Sequence, residues 1–299
     1  VAGRGLAVAL LVLPLTVAAG QKKAPVAFDS SRAYTHVREM VALGPRPAGS
    51  PANVKTREYI VRILSAAGIT AAPQPFEAST PVGPVQMANL IGTIPGERAE
   101  RIIIASHFDT KPQLPFRFVG ANDGGSSTGA LLELARVLKS GPRPRFTLEF
   151  LFFDGEEAYG DWGETNHTFG SRQYVAAARK AGTLRSIGAL ILLDMIGDRS
   201  LNIRRDTNST PWLADLVWAA ARRLGHGAHF LDDPFPVEDD HIPFLRAGVP
   251  AVDLIDLDYP EWHTAGDTLD RVSARSLQIV GDVVLAALPE VEARLAKSK

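Results

Sequence analysis

The chain has 299 residues, enough for one large core, and its 32 Lys and Arg nearly balance 33 Asp and Glu, for a net charge of -1. That balance implies neither a nucleic acid nor an anionic membrane surface as a partner. With no cysteine present, disulfides, thiolate nucleophiles and thiolate ligands are all excluded, so any bound metal must rest on His, Asp and Glu.

Residues 1–20 read as a signal peptide: Arg4 supplies the positive start, residues 6–15 the apolar core, and Val17, Ala18 and Ala19 the small residues for cleavage. An exported protein, periplasmic or extracellular, is expected, with membrane attachment only if this leader is retained as an anchor. Residues 21–30 read as a linker and 31–299 as one catalytic domain. The pattern predicts a helix over 31–43, capped by Ser30 or Ser31 and stopped at Gly44-Pro45, then a structural proline-rich turn over 44–51 and a helix over 52–67. Strands follow over 85–94, with Asn89 buried, and over 101–106. The second of these runs straight into His107-Phe108-Asp109, where His107 is a candidate ligand or substrate-binding group and Asp109 a residue that orients it. Asp123 stands in a glycine-flanked loop before a helix over 128–138; Ser126, Ser127 or Thr128 can cap that helix and leave Asp123 free.

The centre of the chain is TLEFLFFDGEEAYGDW, residues 147–162. An apolar β-rich run stops at Asp154-Gly155-Glu156-Glu157, so three carboxylates stand where a buried strand ends. One glutamate of such a pair can bind a metal while its neighbour acts as a general base; the alternative is a solvated acidic turn. A helix over 171–178, a strand over 189–193 ending in Asp194, a helix over 211–224, the acidic Glu238-Asp239-Asp240-His241 segment, a strand over 249–255 and a helix over 273–288 complete the chain. His36, His167, His226 and His229 read as surface residues. The alternation of strand and helix predicts an α/β fold in one globular domain, a mostly parallel, doubly wound mixed sheet with helices on both faces.

His107-x-Asp109, Asp123, Glu156-Glu157, Asp194 and His263, in this order, resemble the zinc-dependent exopeptidase fold of the M28 type. Within that group the blocks FFDGEEA (152–158), GSRQYV (170–175), LLDMIGD (192–198), DDHIPFLRAGVP (239–250) and PEWHT (260–264) resemble the glutaminyl cyclases. The resemblance implies one Zn2+ per chain on Asp123, Glu157 and His263, with Glu156 as general acid and base. It also implies Asp239 and Asp194 as acids beside it, Trp162 and Trp262 as pocket walls and His107 beside the substrate. His241 would prop Asp239 through Asp240 or the backbone. The implied reaction is cyclisation of an N-terminal glutamine to pyroglutamate with release of ammonia, on peptide or protein substrates, by a monomer. The segment between Trp162 and Gly170 departs from the family pattern, as does the PEWHT block, which is one residue shorter before the tryptophan. The alternative implied by the same fold is a two-zinc aminopeptidase, in which His107 and Asp194 hold a second zinc and Asp123 bridges. An inactive peptide-binding ectodomain is a third reading. Asp239-Asp240 ahead of His241, Trp162 and Trp262 favour the cyclase.

Overall fold

The computed structural model describes residues 1–3 and 26–297. Nearly all of the stretch read as signal peptide, and the first half of the linker, lie outside the described residues. Among the described residues no helix is long and apolar enough to cross a membrane.

A six-stranded sheet carries the fold, in the order β1 (Ala71–Thr80), β2 (Gly83–Ile94), β4 (Phe146–Phe153), β3 (Arg98–His107), β5 (Ile187–Asp194), β8 (Ala251–Ile255). β4, β3, β5 and β8 run parallel, while β2 is antiparallel to both β1 and β4. The mixed, mostly parallel sheet expected from the sequence is therefore present, with an added hairpin arm at one edge. β1 was not foreseen: Pro73 and Pro75 remove two backbone donors, which only an edge strand tolerates, and β1 is at the edge. A separate two-stranded parallel sheet of β6 (Ile203–Asp206) and β7 (Phe230–Phe235) was also not foreseen, because short runs rich in Arg and Asp carry little strand signal.

Side chains alternate across the parallel strands and divide the core in two. Ile102, Ile104, Leu148, Phe150, Ile191 and Leu254 face one layer, which contains α1 (Ser30–Leu43), α2 (Pro51–Ala66), α3 (Gly125–Ser140), α5 (Pro211–Arg223) and α7 (Ala274–Lys297). Ile103, Ala105, Leu151, Phe153 and Leu190 face the other, against α4 (Phe169–Lys180) and α6 (His241–Arg246). Helices thus cover both faces.

Local chemistry sets the ends, with two corrections. Asp29, rather than Ser30 or Ser31, caps α1 by accepting from the amides of Ser31 and Arg32. α3 starts earlier than expected, after Gly124 at φ 70°, with no side-chain cap; Ser126 and Thr128 turn their hydroxyls to the carbonyls of Asn122 and His107 instead. The last helix runs past 288, through Pro289, to Lys297. His36 is buried against the Tyr59 hydroxyl, 2.6 Å from Nδ1, and burial pushes it down to about 4, so it is a core residue and not the surface one expected.

Candidate active site and metal centre

Four parallel strands deliver their C-terminal ends to one edge of the sheet. β3 ends in His107, β5 ends in Asp194, β4 runs into the acidic tip and β8 into the turn that carries His263. Asp123 comes from the turn ahead of α3, and Asp239 from the turn ahead of α6.

The three carboxylates of the tip have separate duties. Asp154 points away from the site: it accepts from Asn53 Nδ2 at 2.8 Å, Arg57 at 2.9 Å and the Ala88 amide at 2.8 Å, tying the tip to α2 and β2. Glu156 and Glu157 are held by their backbone, whose amides donate to the Asp109 carboxylate at 3.1 and 3.4 Å. Asp109 therefore fixes the glutamate pair, and its Oδ1 also lies 3.5 Å from His107 Nδ1.

The turn that presents Asp123 is clamped on both of its polar sides. Arg46 is fully buried and donates to the carbonyls of Phe108 at 2.6 Å, Val119 at 2.5 Å, Gly120 at 2.7 Å and Asp123 at 3.5 Å. Asp267 accepts from the amides of Asn122 and Asp123 at 2.8 and 3.1 Å and from the Tyr259 hydroxyl at 2.9 Å. Gly124 completes the turn: a Cβ there would come within 2.8 Å of His107 Cε1 and 2.9 Å of the Asp109 carbonyl. The proline-rich turn read as structural thus supplies, in Arg46, a support of the site that was not anticipated; its only signal was a lone arginine between two prolines.

Asp123, Glu157 and His263 bring one donor atom each to a common point. His263 Nε2 is 3.3 Å from Asp123 Oδ2 and 3.2 Å from Glu157 Oε2, aligned for a hydrogen bond with neither. Donors on a tetrahedron with bonds of about 2.1 Å stand about 3.4 Å apart, so the spacing suits a small divalent cation. Asp123 Oδ2, which faces His263, is buried without a hydrogen-bond partner, which a cation would supply. Burial and Asp123 push Glu157 up to about 7, while His263, lowered by burial, is carried up to about 9 by the two carboxylates. A cation between them would favour the deprotonated form of all three.

His107, Asp123 and Asp194 form a second cluster of donors that shares Asp123. Here His107 Nε2 lies 3.1 Å from Asp194 Oδ1 and 3.3 Å from Asp123 Oδ1. Burial works against a charge on His107, yet Asp194, Asp109 and Asp123 outweigh it and hold the imidazole well above its ordinary range. The ring is buried and absent from the cavity lining, so His107, expected beside the substrate, lies behind Asp123 and Asp194 instead.

The cavity is about 330 Å³ and is lined by Asp123, Glu156, Glu157, Asp194, Asp239 and His263, with Trp162 and Trp262 partly exposed at its rim and Met195, Val237, Ile255 and Leu257 as apolar wall. Lys111 also lines it, 4.0 Å from Glu157 and donating to the Ala158 carbonyl. Trp262 leans on His263, ring centres 4.4 Å apart, and Phe118 meets the same imidazole edge-on. Burial, reinforced by Asp239 and Glu157 against the pull of His107, holds the Glu156 carboxyl well above the usual range; burial and Asp194 push Asp239 up to about 7.

His241 bonds neither Asp240 nor the backbone, the two props expected for it. It is fully buried, with Nε2 3.1 Å from Asp206 and Nδ1 3.6 Å from Asp253. Asp206 in turn accepts from the Val237 amide at 3.0 Å, so the turn bearing Asp239 is pinned to β6. His167, expected at the surface, is buried and stacked on Trp162.

Residues 89–288 match the family model described as Peptidase family M28. The chain is 34% identical over 256 residues to a glutaminyl-peptide cyclotransferase-like protein of Mus musculus, covering 75% of this chain and 66% of the mouse protein, so the match spans about two thirds of that relative. It is 30% identical over 277 residues to a glutaminyl-peptide cyclotransferase of Boiga irregularis, covering 80% of this chain and 75% of the snake protein. Among solved structures, a glutaminyl cyclase of an Acidobacteriales bacterium superposes with a TM-score of 0.87 at 39% identity, covering 95% of this chain and 100% of that one. The order of the site residues, the strand ends that carry them and these likenesses agree: the chain belongs to peptidase family M28 and, within it, to the glutaminyl-peptide cyclotransferases.

Proposed function

We propose that the protein is a zinc-dependent glutaminyl-peptide cyclotransferase that closes an N-terminal glutamine to pyroglutamate and releases ammonia. The observation that carries this reading is one small cavity holding a buried proton acceptor, Glu156, a three-donor cation cradle and two indoles. Asp123, Glu157 and His263 would hold one zinc per chain, and zinc supplies there a Lewis acid for the side-chain carbonyl of the glutamine. Glu156 takes a proton from the α-amine as that nitrogen attacks the side-chain carbon, and gives it to the departing ammonia. Asp239 and Asp194 hold the amine in the same cavity. Trp162 and Trp262 curl the glutamine and keep water out, which suffices because the nucleophile is already tethered to its electrophile. Natural substrates in this reading are peptides or proteins with N-terminal glutamine. They would be met outside the cytoplasm by an exported monomer whose catalytic unit is residues 31–299.

One observation favours a two-cation aminopeptidase, the second donor cluster of His107, Asp123 and Asp194. Asp239-Asp240 ahead of His241 and the two indoles at the cavity, Trp162 and Trp262, favour the cyclase. Metal analysis tests the count: His263→Ala is expected to lose bound zinc, with affinity down at least 100-fold, while His107→Ala retains one equivalent. Two equivalents in the wild type and one in His107→Ala would favour the aminopeptidase.

Mass spectrometry of products tests the reaction itself, with two short peptides that differ only in N-terminal Gln or Leu. The expected result is loss of ammonia from the first and no change in the second. Release of the N-terminal residue would overturn the cyclase.

A further inference from the structure

Trp162 stands on the segment between the glutamate pair and α4. Its indole is 39% exposed, and an exposed indole on a loop has several rotamers open to it. Two contacts remove that freedom here. The His167 ring stacks on the indole with centres 3.7 Å apart and planes 22° apart, and the indole Nε1 donates to Glu238 at 3.4 Å.

His167 is itself held. It is buried, and Arg172 donates to its Nε2 at 3.4 Å while also binding the Thr168 hydroxyl at 3.0 Å and the Glu164 carbonyl at 2.8 Å. Burial and the nearby Arg172 push the imidazole down to about 4, so the ring beneath the indole is neutral at neutral pH. Asn166 braces the segment: its side-chain amide donates to the carbonyls of Tyr159 and Asp161 at 2.8 and 2.7 Å, and its Oδ1 accepts from the Gly163 amide at 2.9 Å. A second cavity, of about 580 Å³, lies against His167 and Arg172 and shares Trp162, Glu238 and Asp239 with the active-site cavity. The indole therefore borders both cavities, with the His167 ring against one of its faces.

We propose that His167 is a positioning residue for substrate binding: stacked beneath Trp162, it fixes the indole as a wall of the glutamine pocket. The proposal rests on the cyclase reading for its substrate. It predicts an effect on binding and little on the chemical step, since the wall contacts ground state and transition state alike.

The test is steady-state cyclisation of a Gln-initiated peptide by the zinc-loaded protein. His167→Ala is expected to raise KM about three- to tenfold, the cost of ordering one side chain on binding, with kcat within about twofold. His167→Phe keeps an aromatic face and is expected to restore most of the KM. In a Trp162→Ala background the His167 substitution should have no further effect. Acrylamide quenching of Trp162 fluorescence, taken as the difference between each protein and its Trp162→Phe counterpart, should rise in His167→Ala and return in His167→Phe. An unchanged KM and unchanged quenching in His167→Ala would overturn the proposal, as would a full effect persisting without Trp162. If the wild type fails to cyclise glutamine, the cyclase reading falls, and the quenching comparison still judges the stack. Should His167→Ala not fold, His167→Phe with the Trp162→Ala pair decides: loss of binding in His167→Phe as large as in Trp162→Ala would overturn the ring-stacking role.

Discussion

Replacing Glu156 with glutamine is expected to slow cyclisation by about 10³-fold while leaving bound zinc in place. The amide keeps the shape of the carboxyl and leaves Asp123, Glu157 and His263 untouched, but it cannot accept the proton of the attacking amine. The wild type should also lose activity on acidification at a pH above the ordinary carboxylate range, because burial holds Glu156 in its protonated form further up the scale. The sign follows from the role: the carboxylate is the active form, so the rate rises with pH through its titration. The substrate amine, with a pKa of about 7.7–8.0, adds its own rise at higher pH. In Glu156→Gln only the substrate's rise should remain. A pH–rate profile of the two proteins makes the comparison, and an unaltered acid limb in the variant would remove Glu156 from the proton path.

The largest effect on stability is expected at Arg46. Arg46→Met would leave the carbonyls of Phe108, Val119, Gly120 and Asp123 facing an apolar side chain in a fully buried place. Breaking a buried charged network of this kind costs about 3–5 kcal/mol. For a protein of this size that lowers Tm by roughly 10 °C. Arg46→Lys should recover little, since one ammonium cannot reach carbonyls that a guanidinium spans with separate nitrogens. The same change should weaken zinc binding, because the carbonyls lost include that of Asp123 itself. Thermal unfolding with a zinc titration measures both. A shift in Tm below 2 °C would mean that the turn is held by Asp267 alone.

Much of this site is legible in the chain because parallel strands announce themselves. Apolar runs such as 150–153 and 189–193 are buried on both faces, and the polar residues directly after them fall at one edge of the sheet. Glu156, Glu157, Asp194, His107 and Asp123 could therefore be picked out before any coordinates. What could not be read was the direction in which each group faces. His107 follows its strand as a ligand would, and it faces Asp194 and Asp123 behind the cavity lining. His241 has Asp240 beside it in sequence and instead meets Asp206 and Asp253, which arrive from β6 and β8. His36 and His167 look like solvated residues on polar stretches, and tertiary packing buries both. Arg46 is the clearest case, since a buried arginine bound to backbone carbonyls has no complementary acid nearby in sequence to give it away.

Gly124 has a consequence for how this protein can change. At φ 70°, with His107 and the Asp109 carbonyl against the place a Cβ would take, position 124 accepts no side chain without moving the His107 ring or the Asp109 backbone. Residues 120–125 are accordingly closed to drift. The rim over 160–165 is exposed and touches no cation donor. Random libraries made on this chain would give dead clones from the first segment and altered substrate choice from the second, so that inheritance of the chemistry and divergence of its targets are written in different parts of the same chain.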